Sequence, residues 1–176
     1  GTEDVVGPYI HEGAYFLVTK QGVPVPAGTY ELFQGQVAEG KKMQRAKALM
    51  LPSSSTPTWT VGAGETVSME LGAPFGFVFE TVQDETSVTV VGPSVAIVGR
   101  AGETYQRTWN CAPRPEVSYR EEGKKRGTKG EDMRGAETQE ELAEDWTYGW
   151  FPHDLKLEKK PGTVQVQLVE KKNRLF

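Results

Sequence analysis

The chain is predicted to be all-β, folded as two small sandwich domains in tandem. Three observations carry that expectation. Apolar and polar residues alternate in short runs. Gly, Pro or Asn breaks those runs at intervals of roughly eight to twelve residues, the rhythm of a sandwich. A turn-and-strand pattern also occurs twice. The 176 residues accommodate one domain or two, since domains usually run to about 100–150 residues. With 37% hydrophobic and 10% aromatic residues, the chain can build packed cores.

The first element is a strand at residues 14–19 (Ala-Tyr-Phe-Leu-Val-Thr), turned by Gln21-Gly22 with Pro24 and Pro26. Residues 29–37 form a second, in which Tyr30 and Leu32 alternate with Glu31 and Gln34. Residues 42–51 are ambiguous. Met43, Ala46, Lys47 and Met50 suit a helix by spacing and propensity, while Gln44, Ala46, Ala48 and Met50 would share one face of a strand. The preceding Gly40 turn and the closing Leu51-Pro52 favour the strand. After the Ser53–Pro57 loop come short β-rich segments at 59–61, 66–71, 75–82, 87–91, 95–98, 105–109 and 117–119.

Residues 120–145 change in texture, with charges of both signs and almost no large apolar side chains. They read as an exposed or mobile insertion. Thr138 with Glu141 three positions on is a capping box, which predicts one short helix. An aromatic cluster comes next (Trp146, Tyr148, Trp150, Phe151), and Val164, Val166 and Leu168 alternate with Gln165 and Gln167 in a closing strand.

The repeat pairs Ala-Gly-Glu-Thr at 63–66 with the same four residues at 101–104, each followed by a strand and then by Ala-Pro, at 73–74 and 112–113. The offsets are 38 and 39. Gly64 and Gly102 would take a positive φ at the turn, and Pro74 and Pro113 would end the strand. A shared structural unit is one reading; a single larger sandwich with two similar corners is the other. On the tandem reading the domains span 5–83 and 84–176, the second carrying the insertion at 120–145.

Val25-Pro26-Ala27-Gly28-Thr29-Tyr30-Glu31-Leu32 resembles the proline–small–glycine–x–Tyr–x–Leu corner of carboxypeptidase-regulatory and transthyretin-like β-sandwiches. That resemblance covers only a short stretch of the first half. It implies a seven-stranded sandwich of the immunoglobulin-like kind, acting as a non-catalytic accessory or adhesive module. The immunoglobulin disulfide is impossible here, since Cys111 is the sole cysteine.

Chemistry finds few candidates. Cys111 as nucleophile would need His11 or His153, both far off in sequence, so an inert buried thiol is the simpler reading. His153-Asp154 are neighbours on opposite faces if extended and do not orient each other. No His or Cys pairs have metal-ligand spacing, Asp84-Glu85 reads as turn chemistry or as a linker between two repeats, and no phosphate-binding glycine pattern occurs. No cofactor, no metal and no enzymatic activity are expected.

One constellation points to binding. If residues 146–151 are extended, Trp146, Tyr148 and Trp150 project from one face about 6.5–7 Å apart, a spacing at which rings can stack on sugars. The competing reading buries them in the core of the second domain. Lys41, Lys42, Arg45 and Lys47, and Lys159, Lys160, Lys171 and Lys172, read as solvated strand edges that discourage aggregation. Net charge is −4, and only residues 146–176 are basic, with six Lys and Arg against three Asp and Glu. That is too little for a nucleic-acid face. No apolar run approaches the roughly 18 residues of a membrane span.

The chain begins with Gly1 rather than Met, which points to a leader removed upstream and an extracytoplasmic setting (periplasmic, secreted or surface-anchored). The expected function is a non-enzymatic binding or structural module whose partner is a protein or a cell-surface polysaccharide. Alternatives are a carbohydrate-binding module using the aromatic row and, more distantly, a hydrolase accessory domain.

Overall fold

A computed structural model describes residues 3–11, 14–40, 46–109, 113–136, 150–171, 173 and 175–176; at 3–11, 107, 109 and 136 it describes the backbone alone. The fold is all-β. Its strands are β1 (Glu3–His11), β2 (Ala14–Val18), β3 (Gly28–Leu32), β4 (Gly35–Glu39), β5 (Ala46–Leu51), β6 (Trp59–Val61), β7 (Gly76–Val78), β8 (Thr81–Gln83), β9 (Ser87–Val90), β10 (Ala96–Val98), β11 (Thr104–Trp109), β12 (Glu116–Glu121), β13 (Glu131–Asp132), β14 (Gly135–Ala136), β15 (Phe151–Pro152), β16 (Leu155–Glu158) and β17 (Val164–Val169). Every pairing with a defined register is antiparallel. Among the described residues the only helical turn is the 3₁₀ turn Gly92–Ser94.

Two compact units divide the chain, and neither is continuous in sequence. The first comprises Gly1–Gly76, Ile97–Cys111 and Arg174–Phe176; the second comprises Phe77–Ala96 and Ala112–Asn173. A tandem boundary at 83/84 therefore does not coincide with the units, because residues 97–111 join the first seventy-six. The reason is β11, whose register runs antiparallel to β5 from Thr104↔Leu51 to Trp109↔Lys47. Pairing with a strand some fifty positions earlier outweighs chain proximity.

In the first unit the strands take the order β6-β3-β1-β4-β5-β11-β10, with β2 added to β1. β1 organises this arrangement. Its start pairs with β4, and its end pairs with β2 and β3. The predicted single strand at 29–37 is two strands, β3 and β4, separated by Phe33 and Gln34. Tyr30 and Leu32 are buried before the break, and Gly35 and Val37 after it, so the buried parity flips across the two-residue connection. Alternation along one strand cannot accommodate that flip. β5 resolves the ambiguity at 46–51 in favour of a strand: Ala46, Ala48 and Met50 are buried and Lys47 and Leu49 less so. Residues 42–45 lie outside the described residues.

The second unit is built around Val88, Val90, Val95, Val117, Met133, Leu157, Val164 and Leu168. β12 lies between β13 and β17, and β9 between β8 and β16. β17 keeps the predicted alternation, with Val164 and Leu168 buried and Gln165 and Gln167 exposed. The charged insertion, read from the sequence as exposed or mobile, carries two short strands, β13 and β14. Residues 122–129 are exposed, yet Met133 is buried at 1% exposure and its N–H donates to Pro115 O at 2.9 Å. The buried Met133 side chain and the pairing of β13 with β12 and of β14 with β15 together hold this part of the segment. The predicted helix at Thr138–Glu141 lies outside the described residues.

Candidate functional site

The first unit contains a cavity of about 990 Å³. Its floor comes from paired strands. β2 supplies Phe16 and Val18, β3 supplies Tyr30, β4 supplies Val37, and β6 supplies Trp59 and Val61. Phe16 and Tyr30 meet edge to face, centroids 5.8 Å apart, the arrangement that ring quadrupoles favour. The walls are two segments without ladder pairing, residues 19–27 and 62–73.

Each wall is fixed by local chemistry. On the first, Thr19 Oγ1 donates to Gln21 Oε1 at 2.9 Å and Gly22 N–H donates to Thr19 O at 2.9 Å, closing a turn. Further along, Tyr30 Oη donates to Pro26 O at 2.5 Å. The corner at 25–32 is thus tied by its own tyrosine, four residues downstream of the carbonyl it holds.

The second wall carries the first Ala-Gly-Glu-Thr. Gly64 has φ +76° and Gly102, in the second copy, φ +79°, the left-handed conformation that a side chain disfavours. Both turns close over three residues, through Glu65 N–H to Gly62 O and Gly102 N–H to Gly99 O, each 3.1 Å. Beyond the two turns the copies diverge. After Gly102 the chain enters β11, paired on both edges. After Gly64, residues 66–71 keep strand-like alternation, with Val67, Met69 and Leu71 half-buried and Thr66, Ser68 and Glu70 exposed. Yet they join no ladder, and their backbone groups have no backbone partner among the described residues. The strand expected at 66–71 has its sequence pattern without a neighbouring strand.

Carboxyl groups hold this wall at both ends. Gly62 N–H donates to Glu65 Oε2 at 3.1 Å. Gly72 N–H donates to Glu103 Oε1 at 2.6 Å, and Arg100 N–H donates to Gly72 O at 2.8 Å. Glu103 is fully buried and takes two further donors, Ala101 N–H at 2.9 Å and Tyr105 Oη at 2.7 Å. Three donors satisfy a group that burial would otherwise penalise heavily. Spacing alone gave no sign of this residue's role, because the partner that ties it to the wall, Gly72, lies 31 positions away.

The aromatic row is only partly visible. Trp146 and Tyr148 lie outside the described residues. Trp150 is half-buried against the core of the second unit, edge to face with Phe77 at 6.4 Å, and its indole Nε1 is buried without a hydrogen-bond partner among the described residues. His153 is exposed, and Asp154 Oδ1 accepts Gly92 N–H at 2.8 Å. The Asp84 turn is as expected: Oδ1 accepts Thr86 N–H at 2.7 Å and Ser87 N–H at 2.6 Å, and Oδ2 accepts Ser87 Oγ at 2.7 Å. The Ser87 hydroxyl and then the two amides hold the Asp84 carboxyl far below the ordinary carboxylate range.

Lys159 departs from the solvated-edge reading. It is 9% exposed, with Nζ donating to Gly162 O at 2.9 Å, because its ammonium caps a turn carbonyl instead of facing water. Lys160 and Lys171 are exposed, and Lys171 pairs with Glu116 at 2.5 Å. Among the described residues no group of three His, Cys, Asp or Glu could hold a metal ion, and no helix is long and apolar enough to cross a membrane. No protein-family model, curated protein or solved structure matches the chain.

Proposed function

We propose that this protein is a non-enzymatic binding module, that its two units are immunoglobulin-like sandwiches, the first resembling the transthyretin-like kind, and that it binds at the cavity of the first unit. The cavity itself carries the reading. A space of about 990 Å³, floored by Phe16, Tyr30 and Trp59 and walled in part by polar residues such as Gln21, Glu65 and Ser68, has the size of a ligand site and its mixture of apolar surface with a few polar groups. The Tyr30–Pro26 bond supports the sandwich assignment. A tyrosine hydroxyl tied to an upstream backbone group is the corner device of immunoglobulin-like domains.

A protein or a cell-surface polysaccharide is the partner expected from the sequence. The rings of the floor favour a partner with an apolar face, and Gln21, Glu65 and Ser68 in the walls offer it polar contacts. The packing of Trp150 against Phe77 supports a core role for that ring over a place in an exposed sugar-binding row.

Titration with 1-anilinonaphthalene-8-sulfonate and with a panel of soluble polysaccharides, read by fluorescence, tests the proposal. Dye binding that is lost when Phe16 is replaced by Ser supports it. A response to one glycan alone, abolished by Trp150→Ala and untouched by Phe16→Ser, would replace it with the carbohydrate reading.

A further inference from the structure

We infer that residues 63–71 are a hinged wall of the first unit's cavity, and that they swing outward to admit an elongated molecule with an aliphatic chain. This rests on the cavity being the binding site.

Three observations combine. First, residues 66–71 have no backbone hydrogen bond to the rest of the protein among the described residues, whereas the strands flooring the cavity are laddered together. A segment held without ladder bonds opens at a lower free energy than one inside a sheet. Second, the fastenings sit at the ends: the Glu65 bond to Gly62 on one side, and the Glu103 and Arg100 bonds to Gly72 on the other. Between them, the Glu70–Arg100 pair at 3.3 Å has both side chains at least half exposed, and exposed pairs of that kind contribute little. Displacement of 66–71 therefore breaks few strong bonds while both ends stay tied. Third, Val67, Met69 and Leu71 are the half-buried side chains of this run and line the cavity together with Trp59, alternate residues of an extended run being about 6.5–7 Å apart. A linear aliphatic chain can contact all three at once, and Met adapts its shape to fill irregular gaps.

The test is hydrogen exchange read by mass spectrometry, with and without n-alkanols from hexanol to dodecanol as probes. In the free protein, amides of 66–71 should exchange at least tenfold faster than those of β5 and β11. A saturating alkanol should slow them by a further factor of about ten, with affinity rising along the homologous series. Met69→Ser should weaken dodecanol binding at least fivefold with little change in melting temperature. Val82→Ser, at an exposed site of the second unit, should leave it unchanged. Should Met69→Ser fail to fold, Val67→Thr takes its place. Dodecanol binding that is lost in Phe16→Ser but leaves exchange at 66–71 unaltered would keep the cavity as the site and overturn the hinge. Absence of binding by any alkanol, together with slow exchange at 66–71, would overturn both.

Discussion

Glu103 reaches back 31 positions to accept the amide hydrogen of Gly72 at 2.6 Å, and the same oxygen accepts the Tyr105 hydroxyl at 2.7 Å. One fully buried carboxyl group therefore fastens the end of an irregular wall to the β10–β11 hairpin. Removing it takes the acceptor from the Gly72 and Ala101 amides, the first of them buried, and leaves the Tyr105 hydroxyl with the weak acceptor Met50 Sδ at 3.4 Å. Each buried donor left unsatisfied costs about 1–3 kcal/mol, so Glu103→Ala should lose about 3–5 kcal/mol in urea unfolding. Glu103→Gln keeps one acceptor and should lose roughly half as much. Equal stability of Glu103→Ala and wild type would show that the latch contributes nothing.

Gly99 tests the same latch from the other side. A Cβ added there would collide with Glu103 Oε1 and stand 2.9 Å from Gly72 O, too close for the Glu103–Gly72 bond to survive. Gly99→Ala should destabilise by about 2–4 kcal/mol, the range of a disrupted buried network. Because both changes break one network, the double variant Gly99→Ala/Glu103→Ala should fall short of the sum by at least about 1 kcal/mol. Simple additivity in the double-mutant cycle would mean that the two residues act separately.

The Tyr30 hydroxyl offers a smaller effect. Tyr30→Phe removes its bond to Pro26 O while keeping the ring that packs on Phe16. The net value of such a hydrogen bond is about 0.5–1.5 kcal/mol, so the urea midpoint should fall modestly with an unchanged m-value. Loss of cooperativity instead would show that the corner organises more of the first unit than its own turn.

How far the sequence reaches depends on whether a feature is local. Alternation and β-rich composition located β2, β6, β9, β10, β11, β12 and β17 to within a residue or two, because both are local properties of the run. The turn glycines were equally legible, since a positive φ at Gly64 and Gly102 is a property of the turn alone. β1 was missed: its residues, EDVVGPYIH, contain Gly and Pro and carry no clean period. Its strand character comes from three neighbours contributed by later parts of the chain. Residues 66–71 show the reverse failure, since a strand pattern does not guarantee a partner strand. The cavity was illegible for a related reason. Tyr30, Trp59 and Met69 are spread along the chain, and nothing in their spacing says that they surround one space.

Trp150 separates a core role from a ligand-stacking role. Its ring packs on Phe77 and its indole nitrogen is buried without a partner among the described residues. Trp150→Ala should cost about 2 kcal/mol, somewhat less than large-to-small changes of fully buried aromatics, since the ring is half-buried. Trp150→Phe should cost much less, because it also removes the unpaired donor. Near-wild-type stability of Trp150→Ala, measured by thermal unfolding, would return this ring to the candidate binding surface.

Asp84 makes stability depend on pH in a defined direction. Its carboxyl is held below the ordinary carboxylate range, chiefly by the Ser87 hydroxyl and the amides of Thr86 and Ser87. A depressed folded-state value means that the unfolded chain takes up a proton first as pH falls. The turn's contribution is therefore fully present above the unfolded value of about 3.9 and shrinks as pH drops below it. Asp84→Asn keeps an oxygen for the two amides but offers no acceptor to Ser87 Oγ, and it does not titrate. Wild type should therefore be more stable than Asp84→Asn at about pH 6, and the gap should narrow steadily between about pH 4 and pH 2. Urea unfolding of both proteins across that range measures the difference directly. A gap that stays constant down to about pH 2 would mean that the turn's hydrogen bonds, and not the charge they stabilise, hold β8 to β9.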